Sequence, residues 1–219
     1  MALDIILARH GQTAANREGR LQGSSLNPPL NETGERQAEA LAVALQDAQL
    51  DWIVTSGMER AIQTGNLARQ YHSAAPLTSD GRLNEISWGE LDGVKFGEAR
   101  TGLKAVVGRW NQGDGDAKVP GGESANEARA RIRAAFADIL QVAAERGYSK
   151  VLVCLHGRLM RVILAALVDK DLRAMERYNH ANCCFYQIRT ELGDAQAADP
   201  DSLEFTVVRA DVRDHLAGL

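Results

Sequence analysis

The sequence predicts an α/β fold of three layers, a mostly parallel central sheet with helices on both faces. Three observations carry that expectation. Short, continuously apolar runs, Ile5–Ala8 and Val151–Leu155 above all, read as strands buried on both sides. Segments with the 3.6-residue apolar period of helices lie between them. Glycine and proline punctuate the junctions, and strands alternating with helices build parallel sheets. With 219 residues, 45% hydrophobic and 25% charged, the chain can bury one sizeable core, and neither repeat nor linker divides it. A single domain over 1–219 is expected.

The elements follow in order. Ile5–Ala8 is the first strand. Pro28 and Pro29 make Asn27–Asn31 a loop. A helix is expected over Thr33–Asp47, with Ala38, Leu41, Ala42 and Leu45 on one face. Trp52–Thr55 is the second strand, and Ser56 is read as the cap of a helix through Arg69, with Glu59 completing a capping box. Periodicity weakens over Pro76–Gly122 apart from a helical piece at Leu103–Trp110. Its 86–122 part reads as a lid-like excursion over the sheet. Ser124 or Ala125 opens a long helix ended by Gly147. Val151–Leu155 follows, then a helix over Arg158–Val168. Strands near Cys183–Arg189 and Leu203–Arg209, joined by a polar connection at Asp194–Asp201, finish the sheet.

The composition excludes several classes. A net charge of −4 and a pI near 5.8 give no global basic field, so neither nucleic acid nor an anionic membrane is an expected partner. Any anion must be held by a local cationic cluster. The first residues lack the basic start of a secretory signal, and no apolar run approaches the ~20 residues of a membrane span. Cys154, Cys183 and Cys184 suit neither a disulfide framework nor a four-ligand zinc site. A cytoplasmic protein with buried thiols is expected.

Two strands share an unusual ending. Ile5–Ala8 runs into Arg9-His10-Gly11, and Val151–Leu155 into His156-Gly157. In open α/β sheets ligands collect beyond the carboxyl ends of strands, so adjacent strands would set His10 and His156 across one crevice. That cluster suits phosphoryl transfer, which needs equatorial oxygens neutralised and an attacking atom held in line. Arg9 and Arg60 are permanently charged and can each grip two oxygens. Asn16 offers an amide donor, and His156 a further one when protonated. His10 is the candidate nucleophile, its non-attacking nitrogen pinned by a hydrogen bond. Glu85 is the candidate that protonates the leaving oxygen and then activates water.

These residues, in this order, resemble the histidine phosphatase superfamily, also called the phosphoglycerate mutase-like family. The stretch Arg9 to Asn16 is similar to its signature R-H-G-[EQ]-[ST]-x-x-N. Leu30–Ala38 resembles L-[ST]-x-x-G-x-x-Q-A, with Asn31 in place of the usual hydroxyl residue. Ser56–Thr64 resembles S-x-x-x-R-[AT]-x-[QE]-T. Leu83–Gly93 is similar to the acid/base segment, Pro120–Ser124 to the P-G-G-E-S turn, and Val151–Gly157 to the second-histidine strand. The resemblance implies a phosphoglycerate mutase-like fold and a phosphohistidine at His10. It implies a phosphate pocket of Arg9, Asn16, Arg60 and His156, with Gln22, Gly23 and Gly157 beside it, and Glu85 as proton donor. It further implies no metal and no nucleotide cofactor.

Arg158 departs from the small residue usual after the second His-Gly and is expected to point to solvent. Asn182 falls where the family often has asparagine and is assigned no chemistry. Phosphatase is preferred over cofactor-dependent phosphoglycerate mutase. The stretch from Glu85 to His156 is short, its basic residues include no adjacent arginine pair, and Ser87–Gly93 resembles the phosphatase branch. A non-catalytic phosphate-binding module is a further alternative, disfavoured because His10, Arg60, Glu85 and His156 are all present. The expected substrate is a small phosphorylated metabolite. Leu21, Trp88 and Trp110 would favour an apolar or flat group, unless the two tryptophans pack the core of the lid instead, and Arg20 and Lys104 a second anion. Leu91, Val107 and Glu123 complete the candidate distal wall. His72, His180 and His215 read as ordinary surface or hydrogen-bonding residues, and a homodimer through a sheet edge or the late helices is a possible assembly.

Overall fold

The computed structural model describes residues 1–193 and 199–219. Of the polar connection expected at Asp194–Asp201, residues 194–198 lie outside the described residues. A six-stranded sheet has the order β3-β2-β4-β1-β5-β6. Its strands are β1 (Ala2–Arg9), β2 (Trp52–Ser56), β3 (Leu77–Asp80), β4 (Lys150–Leu155), β5 (Phe185–Glu191) and β6 (Thr206–Val212). β1, β4, β2 and β3 run parallel, while β5 and β6 join antiparallel at one side. β1 and β4 are direct neighbours, with Ile5 opposite Val151 and Arg9 opposite Leu155.

The apolar runs of β1 and β4 follow from burial on two sides. Ile5, Leu7, Val151 and Val153 enter one core cluster, whereas Ile6, Ala8, Leu152 and Cys154 enter the other. Successive side chains of a strand point to opposite faces, so both parities must be apolar. The first face is covered by α5 (Ala125–Arg146) and α6 (Gly157–Leu164), and α4 (Phe96–Asn111) contributes Leu103, Val106 and Trp110 to the same core. The second is covered by α2 (Glu32–Ala44) and α3 (Glu59–Tyr71), through Ala38, Leu41, Ala61 and Ala68. A short α1 (Ala14–Arg17) follows β1. Each fully buried leucine or isoleucine contributes about 1.5–3 kcal/mol relative to exposure.

Several boundaries differ from the sequence expectation. The helix expected from Ser56 begins at Glu59, capped in position by Met58, which has no side-chain hydrogen bond to give. The helix expected over Arg158–Val168 ends at Leu164 and continues as a π-helical turn, Ala165–Asp169. The weakly patterned stretch after Pro76 contains β3, an edge strand whose residues are only partly buried or exposed, so it lacks an apolar signature. The last strand, expected near Leu203–Arg209, is β6 at Thr206–Val212, and its mostly exposed residues leave its bounds weakly marked in the sequence. No helix among the described residues is long and apolar enough to cross a membrane.

Candidate active site

The parallel pairing of β1 and β4 delivers His10 and His156 side by side beyond the sheet. Their ring centroids are 5.2 Å apart with planes inclined by 57°. The His10 amide donates to Leu155 O at 2.9 Å, tying the two strand ends together. Gly11 lets the chain turn against α2: a Cβ there would lie 2.3 Å from Gly34 O. The Gly11 carbonyl in turn accepts from His10 Nδ1 at 2.7 Å. That bond places the ring proton on Nδ1 and leaves a lone pair on Nε2. Arg60 Nε, 3.2 Å away, donates to that lone pair. Burial, then the guanidiniums of Arg60 and Arg9, hold His10 well below the ordinary imidazole range, so the ring is neutral.

His156 is fully buried. Its Nε2 meets Ser56 Oγ at 2.7 Å, and the same hydroxyl accepts the Met58 amide at 3.2 Å. Burial and Arg60 lower its pKa well below the usual value. Ser56 therefore serves His156 rather than capping α3, which corrects the capping-box expectation. Arg60, on the first turn of α3, donates Nη1 to Leu26 O at 2.8 Å. Burial lowers it to about 10, leaving it charged at neutral pH.

Around His10 stand buried polar atoms that have no protein partner among the described residues: Arg9 Nε, Gln22 Nε2, Arg60 Nη2 and His156 Nδ1. Buried polar groups are rarely left so, and four in one cluster mark a place built to receive a polar ligand. Neighbouring bonds aim the amides. Gln22 Oε1 accepts from Thr13 Oγ1 at 2.7 Å. Asn16 Oδ1 accepts from the Thr13 amide and from Asn182 Nδ2, both at 3.2 Å. With its oxygen occupied, Asn16 presents its NH₂ as the free group. Asn182 Nδ2 also donates to His10 O at 3.0 Å. Gly23 is adjacent but does not line the cavity, and its amide donates to Asp92 Oδ1 at 2.9 Å.

Glu85, buried to 7% exposure, sits at the N-terminus of α6. Oε1 accepts the amides of Ile86 (3.0 Å) and Leu159 (2.9 Å), and Oε2 that of Arg158 (3.0 Å). The carboxylate thus occupies the positive end of the helix, where negative charge is favoured. Arg9, His10, Asn16, Gln22, Glu85 and Gly157 line one cavity of about 240 Å³, and Arg60 and His156, both fully buried, adjoin His10.

The structure adds and removes residues relative to the sequence reading. His180 is not an ordinary surface residue: it lines the cavity, its carbonyl accepts from Arg9 Nη1, and its Nδ1 lies 3.3 Å from the same nitrogen. Burial, then Arg9, lowers its pKa to about 3, so the ring stays neutral beside the guanidinium. Gly157 makes room for this pair, since a Cβ there would stand 3.0 Å from His180 Nδ1 and 3.2 Å from Arg9 Nε. Arg158 does not point to solvent. Its side chain is 13% exposed, ion-paired with Glu176, and lies 5.9 Å over the Trp88 ring. Trp110 is core, stacked on Trp88 at 5.6 Å with its Nε1 donating to Ala117 O. Leu91, Lys104, Val107 and Glu123 lie outside the cavity lining, whereas Phe96 and Leu103 belong to it. Among the described residues no three His, Cys, Asp or Glu side chains group closely enough to hold a metal ion.

A neutral imidazole with one nitrogen pinned, ringed by anion-binding donors at the carboxyl edge of a parallel sheet, defines a phosphoryl-transfer class of site. The chain belongs to the histidine phosphatase superfamily (branch 1), whose sequence pattern matches residues 5–199. It is 28% identical over 186 residues to a Salmonella choleraesuis protein named probable phosphoglycerate mutase, covering 85% of this chain and 84% of that one. A mycobacterial glucosyl-3-phosphoglycerate phosphatase superposes with a TM-score of 0.83 at 25% identity, covering 97% of this chain and 100% of that one. Phosphoglycerate mutase from Bacillus anthracis shares the fold, with a TM-score of 0.79 at 23% identity over 99% of this chain and 96% of that one.

Proposed function

We propose that this protein is a metal-independent phosphatase that hydrolyses a small phosphomonoester through a phosphohistidine at His10. The observation that carries the reading is the single lone pair of His10 Nε2, set among donors that lack protein partners. A bound phosphate would take Arg60 Nε from that nitrogen and engage Arg9, Asn16, Gln22 and His156. Nε2 then attacks phosphorus, and the bond to the leaving oxygen breaks. The Gly11 carbonyl steadies the positive charge that grows at Nδ1–H. For this step the Glu85 carboxylate takes a proton brought by the monoanionic phosphomonoester and passes it to the departing alkoxide. The carboxylate so formed takes a proton from water, whose oxygen attacks phosphorus. The N–P bond breaks, the ring returns to neutral, and phosphate leaves. Trp88, Phe96 and Leu103, from the 86–122 excursion, would cover the non-phosphate end of the substrate.

The similarity to the glucosyl-3-phosphoglycerate phosphatase and the short stretch between Glu85 and His156 favour hydrolysis. The name of the Salmonella relative supports a second reading, phosphoglycerate mutase. Rapid-quench trapping with a phosphomonoester separates them. An acid-labile phosphoryl group on His10, lost in His10→Ala, with phosphate released in the presence of chelator, is the expected result. Acid-stable labelling elsewhere would remove the mechanism. Interconversion of phosphoglycerates without phosphate release would assign the mutase.

A further inference from the structure

The cavity has two unlike ends. Around His10 the donors lack partners. The opposite wall is made by Leu21, Trp88, Phe96 and Leu103. Phe96 opens α4 and is 52% exposed, although it adjoins this wall. Its amide donates to Gly19 O at 2.7 Å, and the bridge between Arg20 and Lys95 anchors the backbone of the same turn. An apolar surface continuous with a cavity marks a place where an apolar ligand group is covered.

The cations at this end are already engaged. Arg20 donates to Glu18 at 2.8 Å and to Gly93 O at 3.0 Å. Arg158 is paired with Glu176, which also takes Arg161 at 2.5 Å. A second anion at Arg158 would have to compete with Glu176, whose side chain is 38% exposed against 13% for Arg158, and would leave that carboxylate to Arg161 close by. The nearby Glu176 carboxylate disfavours a second anion there by like-charge repulsion.

Resting on the phosphatase reading, we infer that the substrate is the phosphate ester of an apolar alcohol without a second anionic group. We infer also that Glu176, which is not part of the cavity lining and pairs with Arg158, is a specificity-determining positioning residue. Trp88, Phe96 and Leu103 suit an alcohol with an aromatic or short aliphatic body.

The experiment compares kcat/KM for benzyl phosphate, glycerol 3-phosphate and 3-phosphoglycerate, all esters of ordinary alcohols that make similar demands on a general acid. Benzyl phosphate is expected to exceed 3-phosphoglycerate by about tenfold or more. Phe96→Ala should shrink the preference for benzyl phosphate over glycerol 3-phosphate severalfold. Glu176→Gln keeps a hydrogen-bond acceptor for Arg158 but removes the charge, and should raise 3-phosphoglycerate about tenfold relative to benzyl phosphate. A merely structural role for Glu176 would lower all three substrates together, and that result would overturn its assignment. A wild-type preference for 3-phosphoglycerate, with phosphate released through His10, would overturn the substrate inference and leave the phosphatase reading standing. No release from any ester, with interconversion of phosphoglycerates, would sink both.

Discussion

Helices α2 and α5 begin with caps of their own, whereas α3 and α6 do not. Asn31 Oδ1 accepts the Gly34 amide at 2.8 Å to open α2. In α5, Ser124 Oγ accepts the Glu127 amide and Glu127 returns the bond to the Ser124 amide, at 3.1 and 2.8 Å. At α3 the cap position is Met58, and the nearby Ser56 hydroxyl is shared with His156. At α6 the cap position is His156 itself, and the first-turn amides are met by Glu85 from another part of the chain. α2 and α5 draw their caps from within three residues. α3 and α6 lack a local side-chain cap, and the residues at their starts, Ser56 and His156, contact each other instead; α1, which keeps a Thr13 capping box, and α4, which has no side-chain cap, stand outside this contrast.

Glu85→Ala tests that contrast most severely, since it removes both the proposed proton donor and a distant cap. Turnover of alkyl phosphates should fall roughly 10²–10⁴-fold, and urea unfolding should show a loss of about 1–2 kcal/mol. Unchanged stability would mean that α6 does not depend on this carboxylate. The acid response sharpens the comparison next. His10 and His156 are held well below the unfolded imidazole value, and His180 at about 3. Below about pH 6.5 the unfolded chain binds protons that these folded rings refuse. Stability is therefore intact above that pH and declines as pH falls, by up to about 1.4 kcal/mol per pH unit for each ring. For His180 the decline ends near 3. His10→Asn should flatten the slope in denaturant melts from pH 7 to 5; an unaltered slope would show that the ring is not held neutral.

Ser56→Ala should lower kcat/KM about tenfold by releasing His156, with a smaller effect on melting. The reverse pattern would make Ser56 a helix cap after all. The smallest effect is expected at the scaffold. Ser124→Ala should cost about 1 kcal/mol of stability and leave kcat/KM unaltered, and a loss of activity there would erase the distinction between the two kinds of helix.

The same distinction governs what could be read from the chain. The start and stop of α5 were legible because Ser124, Glu127 and Gly147 signal within a few residues of the helix ends, and Gly147 adopts φ 67° as a left-handed terminator. β1 and β4 were legible because both of their faces are buried. The pairing of Arg9-His10 with His156 was legible because each motif ends a strong strand. Ser56 was misread because a hydroxyl before a helix looks like a cap until a histidine from another strand claims it. His180 carried no signal, since its importance lies in the orientation of Arg9 across the fold. Arg158 was expected in solvent because Trp88 and Glu176 are invisible from its neighbours in sequence. Asn182 gained meaning only when its amide reached both His10 and Asn16.

The sequence by itself determined the layered α/β architecture, the two buried strands, and the set of residues able to hold a phosphate, because apolar period, turn chemistry and side-chain type are local properties. Only the tertiary structure decided which nitrogen of His10 keeps its lone pair, which donors remain without partners, and which arginines are already engaged. Those outcomes depend on hydrogen bonds and ion pairs between segments distant in the chain, formed where burial excludes water and makes each partner count.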